Sequence, residues 1–378
     1  MSFSTRLCAV LLASAALAGC TQSASDQQPE ATVVTDTVPL VPARVETRVT
    51  TDATVDADDP ALWADANDPS RALWFGTDKS DGLYVHAMDG TVKQFFPDGP
   101  MNNVDLREGF VVDGKPQVLV AASEREKFGI MTWLLDPATL EVRRYGFLPT
   151  GREAGGFGEP YGFCMGLVNG EYLALVNNKD GEARVFAITA GPNGPTMEQR
   201  HRFKVGSQTE GCVVDDANGH FYLGEEDVAI WRFDLAAPET PPVQIATADG
   251  TRLVDDIEGL TLMRDKAADG TDRTFLIASS QGDNAFGVFR LVQDQMPQWV
   301  GRFRVGGGTI DPVTETDGLS AWSGPIGAYS EGAIAMHDHC DSDTAEDPAE
   351  SVCDGDSKQQ NYKLVDWRDV KAALGLDR

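Results

Sequence analysis

Positive charge is what this chain has least of. Its 31 lysines and arginines stand against 59 aspartates and glutamates, a formal net charge of −28. That balance excludes a basic footprint for nucleic acid, and it excludes a phosphate site built from cations alone. Long amphipathic periods are missing as well. The 38 glycines and 20 prolines break the chain into short apolar runs between turns, which favours many strands over helices. Histidine is scarce, five in 378 residues, too few and too scattered for a Ser-His-Asp arrangement. His-Glu-x-x-His does not occur. His86 and His220 read as structural or surface residues, and Trp63, Trp231 and Trp322, each inside a strand, read as core.

The most conspicuous apolar run is at the N-terminus, where Arg6 precedes Leu7 to Leu17, a segment too short to span a bilayer. Leu17-Ala18-Gly19-Cys20 after it is similar to the bacterial lipobox. Residues 1–20 are therefore expected to be a lipoprotein signal peptide, with Cys20 the lipidated residue and the only membrane contact. Thr21, in place of an aspartate, points to anchoring at the outer membrane after export, on its periplasmic or outer face. Residues 21–40, rich in Ser, Thr, Gln and Pro, read as a flexible tether, and residues 41–378 as a single domain. Export permits disulfides among the four cysteines of that body. Cys340 and Cys353 bracket an acidic loop and are expected to staple it. Cys164 and Cys212 sit at matching places in neighbouring units, either bonded or as two buried thiols.

Matching places exist because the chain repeats. Six anchors recur: Asp56-Ala-Asp58-Asp59-Pro-Ala-Leu-Trp63, Asn102-Asn-Val-Asp105-Leu-Arg107, Glu159-Pro-Tyr161-Gly, Thr209-Glu210-Gly-Cys, Asp255-Asp256-Ile-Glu258-Gly, and Thr316-Asp317-Gly-Leu. Taking Asp58, Asp105, Tyr161, Glu210, Glu258 and Asp317 as equivalents, the spacings are 47, 56, 49, 48 and 59 residues. An apolar strand follows each anchor, such as Ala72 to Gly76 or Phe221 to Gly224, and in most copies a third follows that. One such sheet cannot bury both faces, but six around an axis can. The expected fold is all-β, a six-bladed β-propeller of four-stranded antiparallel sheets. Tyr362 to Val365 and Val45 to Thr50 are expected to complete the sixth blade and close the ring.

In phase, the repeats give two rings. The first holds Asp58 and Asp59, Asp105, Tyr161, Glu210, Asp256 and Glu258, and Asp317. The second, from the ends of the second strands, holds Lys79, Arg125, Lys179, Glu226, Gln281 and Asp338. So many oxygen donors at one channel mouth suit hard cations of the calcium type rather than zinc. Without cations, crowded carboxylates repel and take up protons. Lys79, Arg125 and Lys179 belong to the first three blades, so half of the mouth suits an anion that metals on the other half can bridge, as phosphoryl transfer requires.

These motifs resemble those of the β-propeller phytases, the alkaline calcium-dependent 3-phytases, over nearly the whole body from Val45 onward. The carrying stretches are Asp58-Asp59-Pro-Ala-Leu-Trp, Asn102-Asn-Val-Asp-Leu-Arg, Tyr161-Gly-Phe, Ser207-Gln-Thr-Glu-Gly, Glu225-Glu-Asp-x-Ala-Ile-Trp, Asp256-Ile-Glu-Gly-Leu-Thr, Ala278-Ser-Ser-Gln-Gly and Thr316-Asp-Gly. The resemblance implies several structural and catalytic Ca²⁺ ions and a monomeric phosphomonoesterase. Its substrate would be phytate (myo-inositol hexakisphosphate), taken as its calcium complex and cleaved stepwise by a calcium-activated water. It marks Glu46, Asp58, Glu210, Glu226, Asp256, Glu258, Gln281, Asp311 and Asp317 as calcium ligands or their supports. It marks Lys79, Arg125, Tyr161 and Glu210 as catalytic, and Lys79, Arg125, Tyr161 and Lys179 as substrate contacts. Two departures stand out: Ser80 occupies a place where some members have a second lysine, and Met336-His-Asp-His-Cys340 replaces a different acidic segment. Two rival readings remain, a calcium-dependent lactonase-type propeller and a non-enzymatic propeller lipoprotein with structural calcium.

Overall fold

The alternation of apolar residues along each strand explains the architecture. In Asp68–Asp78, Leu73 and Phe75 enter one apolar cluster while Ala72 and Trp74 enter another, on the opposite face of the same sheet. A sheet apolar on both faces needs a neighbour on each side, and a closed ring supplies both. The structure, a computed structural model, describes residues 38–47, 56–151, 157–293, 295–340 and 360–377. The lipobox, Cys20 and most of the tether lie outside the described residues.

Six sheets make up the ring. The first strand of each is innermost: Ala57–Asp65, Met101–Val112, Phe163–Val168, Thr209–Asp215, Leu260–Lys266 and Leu319–Ser323. Each is followed outward by antiparallel strands, so the blades are four-stranded as expected, blade 5 carrying one further, parallel strand on its outer edge. Six apolar clusters fill the six blade interfaces, and the one joining Trp74 of blade 1 to Tyr362 and Leu364 of blade 6 closes the circle. Trp63 is fully buried, as its core reading required. Closure uses both chain ends: Val45–Glu46 pairs antiparallel with Asn361–Asp366, Val45 opposite Leu364 and Glu46 opposite Lys363. Residues 48–50 of the expected closing strand lie outside the described residues. Val38–Val41, partly counted as tether, instead runs along blade 5, with Leu40 and Val41 parallel to Arg304 and Val305.

Successive inner strands approach closely where the anchors place a glycine. A Cβ on Gly211 would lie 1.4 Å from the Glu258 carbonyl oxygen, and one on Gly162 would lie 1.9 Å from the Glu210 oxygen. Only glycine allows that approach. Cys164 and Cys212 are disulfide-bonded, 5.7 Å apart at Cα, joining the inner strands of blades 3 and 4. Cys340 is also disulfide-bonded; Cys353, its expected partner, lies outside the described residues.

Candidate active site

The acids reach the mouth of the channel because the inner strands bulge where they stand. Ala57 and Pro60 pair with Asp78 and Gly76, Met101 and Val104 with Glu124 and Ala122, and Thr209 and Cys212 with Glu225 and Leu223. In each case the inner strand takes three steps against its partner's two. A bulge re-aims side chains, here those of Asp58, Asn102 and Glu210. This register corrects one expectation: the blade 2 member of the first ring is Asn102, not Asp105. Asp105 lies further along the strand, where it accepts the Met165 N–H at 2.8 Å and pairs with Arg107 at 3.0 Å. In blades 3, 5 and 6 the ring residues Tyr161, Glu258 and Asp317 stand just before the close-approach glycines.

The second ring follows the ends of the second strands. The backbone N–H groups of Lys79, Arg125, Glu226 and Gln281 bond to the carbonyls of Asp56, Pro100, Gln208 and Asp256. In blade 6 the same place falls to His339, whose N–H bonds to Thr314 at 3.1 Å. Asp338 is therefore not its sixth member. As the last residue of its strand it faces inward, with Oδ2 2.6 Å from Lys363 Nζ.

Between the rings the side chains converge. Lys79 Nζ lies 2.6 Å from Asp317 Oδ2 and 3.2 Å from Asp58 Oδ1. Gln281 donates to Glu258 at 2.6 Å and to Asp317 at 2.8 Å. Asn102 donates to Glu210 at 2.6 Å. Glu210, Glu226 and Glu258 each present a carboxylate oxygen within 4.8 Å of the others. Lys179 Nζ stands 4.3 Å from the centre of the Tyr161 ring and the Arg125 guanidinium 5.7 Å from it, cation–π contacts that gather the three residues. Arg125 also pairs with Glu159 at 2.7 Å.

Burial and crowding set the protonation of this cluster. Burial raises Asp58 to about 7, against the pull of the adjacent Lys79. It raises Glu226 to about 7 as well, with the Asp256 charge adding to the effect. Glu210 and Glu258 are pushed well above the carboxylate range by burial and by neighbouring acids. Asp317 goes the other way, to about 2: burial would raise it, but the His337 ring and Lys79 lower it further. Burial holds His337 itself near 4, and its Nδ1 accepts the Asp317 N–H at 3.0 Å. It is thus neutral at pH 7, and Lys79 supplies the charge. Three buried oxygens, Asp58 Oδ2, Asn102 Oδ1 and Glu226 Oε1, have no hydrogen-bond partner among the described residues. Orphaned acceptors in a cluster of carboxylates, carboxamides and a tyrosine fit a hard divalent cation.

A family model described as "Phytase" matches residues 4–378. The 3-phytase of Bacillus subtilis (strain 168) is 32% identical over 327 residues, covering 84% of this chain and 81% of that protein. The chain belongs to the phytase family. Among solved structures, a crystal structure of BBS1N in complex with ARL6DN, soaked with lead, is 12% identical with a TM-score of 0.45. It covers 81% of this chain and 78% of its own, a likeness too loose to argue from.

Most of the residues expected in the phytase site are brought together: Asp58, Lys79, Arg125, Tyr161, Lys179, Glu210, Glu226, Asp256, Glu258, Gln281 and Asp317. Asp311 is placed elsewhere, its Oδ1 2.6 Å from the buried Lys363 Nζ, so an ammonium already balances its charge. Glu46 lies on the outermost strand of blade 6, in register with Lys363. The residues passed over were Asn102 and His339. Asn102 stands inside an anchor motif and His339 inside the divergent Met336-His-Asp-His-Cys340 segment, and counting from the paired strand rather than from the nearest acid finds both.

Proposed function

We propose that this member of the phytase family is a calcium-dependent 3-phytase that releases phosphate stepwise from myo-inositol hexakisphosphate. One observation carries the reading. The same mouth holds orphaned carboxylate oxygens suited to cations and three basic side chains, Lys79, Arg125 and Lys179, suited to an anion's oxygens. When bound there, calcium would supply concentrated positive charge toward phosphate and its attacking water. Glu210, Glu226, Glu258, Asp58, Asp256 and Asp317, with Gln281 in support, would hold it.

The chain's own residues do the rest. Lys79, held between Asp58 and Asp317, meets a phosphate oxygen with a charge that its carboxylate neighbours maintain against the opposing effect of burial. Arg125 and Lys179, gathered on the Tyr161 ring, grip further phosphate oxygens. Burial and the Glu210 charge raise the Tyr161 hydroxyl far above its ordinary value, so it acts as a hydrogen-bond donor, not as a base. Direct attack by water inverts phosphorus, and stereochemical analysis with a chiral phosphate ester checks this; retention would contradict a single transfer. A lactonase-type site would need an apolar pocket, whereas this mouth is lined by charged groups.

The deciding experiment is phosphate release from phytate with added Ca²⁺, with EDTA, and after calcium is restored. Release that needs calcium supports the reading; folded protein that releases none at any calcium level sinks it. The proposed setting is the outer membrane, anchored through Cys20 as a monomer. Loss of membrane fractionation in Cys20→Ala tests the anchor.

A further inference from the structure

We propose that Asn102 is a bifunctional member of the cation site: its amide N–H groups orient Glu210, and its Oδ1 is itself a cation ligand. The inference rests on the metal reading given above but concerns a residue that reading does not use. Asn102 is fully buried, on the bulge of blade 2, in register with Asp58 and Glu210. Its Nδ2 donates to Glu210 Oε1 at 2.6 Å and to Asn103 Oδ1 at 3.0 Å. Two acceptors on Nδ2 fix the orientation of the carboxamide, since flipping it would set its oxygen against both. Oδ1 is left buried with no hydrogen-bond partner among the described residues.

Asn177 shows what a purely structural asparagine looks like here. It is buried too, and donates to the Glu210 carbonyl at 2.7 Å, but its Oδ1 accepts from Thr209 Oγ1 at 3.2 Å. Its polar atoms are used within the protein; the Asn102 oxygen is not. Buried acceptors find partners, and the orphaned Asp58 and Glu226 oxygens of the same mouth share its need. A neutral oxygen also suits the place physically. An acid at Asn102 would face the Glu210 carboxylate and raise the site's proton uptake, whereas a carboxamide gives one oxygen to a cation and two hydrogens to its neighbours.

The test is a Ca²⁺ titration of the full chain against a fluorescent chelator, alongside the calcium dependence of phosphate release from phytate. Glu210→Gln identifies the binding phase that belongs to the mouth. Asn102→Ala is expected to weaken that phase by about 10- to 100-fold and to raise the half-activating calcium by a similar factor. Asn102→Asp restores an oxygen of the same size without the N–H groups. It should recover calcium affinity at alkaline pH and lose it more steeply than the wild type as pH falls. If Asn102→Ala folds and binds calcium like the wild type, the proposal is overturned while the metal reading stands. If Asn102→Ala does not fold, Asn102→Asp decides: affinity reduced equally at every pH denies Oδ1 a ligand's role. A wild-type chain that binds no calcium overturns both.

Discussion

The carboxyl groups of the mouth, Asp317 excepted, keep their protons to unusually high pH, and that has a thermodynamic consequence. Burial pushes Asp58 and Glu226 up to about 7 in the folded, metal-free chain, against ordinary values of 3.8 and 4.5. Between those values the folded state holds protons that the unfolded chain has released. The stability of the metal-free protein therefore falls as pH rises from about 4 toward 7. A cation that replaces those protons gains most at the upper end. The rise in melting temperature caused by calcium should be small at pH 5 and large at pH 8, and scanning calorimetry in EGTA and in calcium measures it. An equal rise at both would mean that calcium and protons do not share these oxygens. Lys79 and Arg125 separate by the same residue-level reasoning. Lys79, caught between Asp58 and Asp317, is aimed into the reaction, so Lys79→Met should lower kcat by roughly 100-fold with the fold intact. Arg125, partly buried and tethered to Glu159, contributes grip, so Arg125→Ala should raise KM with a smaller change in kcat.

Among the structural elements, the blades were legible in the chain because strand alternation and glycine punctuation are local signals. The expected runs Ala72 to Gly76 and Phe221 to Gly224 both lie inside second strands of the ring. Register was less legible, because a bulge adds a residue without changing composition. Asp105 drew the blade 2 equivalence onto itself, although the pairing of Met101 with Glu124 gives that place to Asn102. Asp338 drew the sixth position away from His339 in the same way. The disulfide was legible only as a pair of matching places, since spacing cannot separate bonded thiols from free ones. Its contribution can now be stated. Cys164 and Cys212 close a loop with a sequence separation of 48, worth about 4 kcal/mol in the chain-entropy account. The double variant Cys164→Ser, Cys212→Ser should lose up to that amount in guanidinium unfolding. An unchanged midpoint would mean that the contacts of blades 3 and 4 suffice alone.

On the scale of the whole molecule, an excess of acid must be balanced wherever it is buried, and the propeller does so in two ways. At the channel mouth the carboxylates outnumber the ammonium of Lys79, which leaves work for cations from solution. At the seam between the chain ends the balancing cation belongs to the chain itself. Lys363, fully buried on Asn361–Asp366, places Nζ 2.6 Å from both Asp311 and Asp338 and 3.0 Å from the Pro312 carbonyl. The strand that carries it pairs with Val45–Glu46, so the lysine locks the closure that joins the two ends of the chain. Removing one partner of a buried ion cluster leaves the others uncompensated, which costs about 3–5 kcal/mol. Lys363→Met keeps most of the side-chain volume and should lower unfolding stability by that amount in the presence of EDTA. Phosphate release per folded molecule at saturating calcium should change little, because the mouth is built from other residues. Chelation of the wild type should do the opposite, abolishing release while the seam stays closed. The informative comparison is calcium added to Lys363→Met. If it restores the lost stability, Asp311 and Asp338 accept a cation once the ammonium is gone, which is the ligand role that the family resemblance gave to Asp311. An unfolding midpoint unaffected by the substitution would show that the seam is held by strand pairing alone.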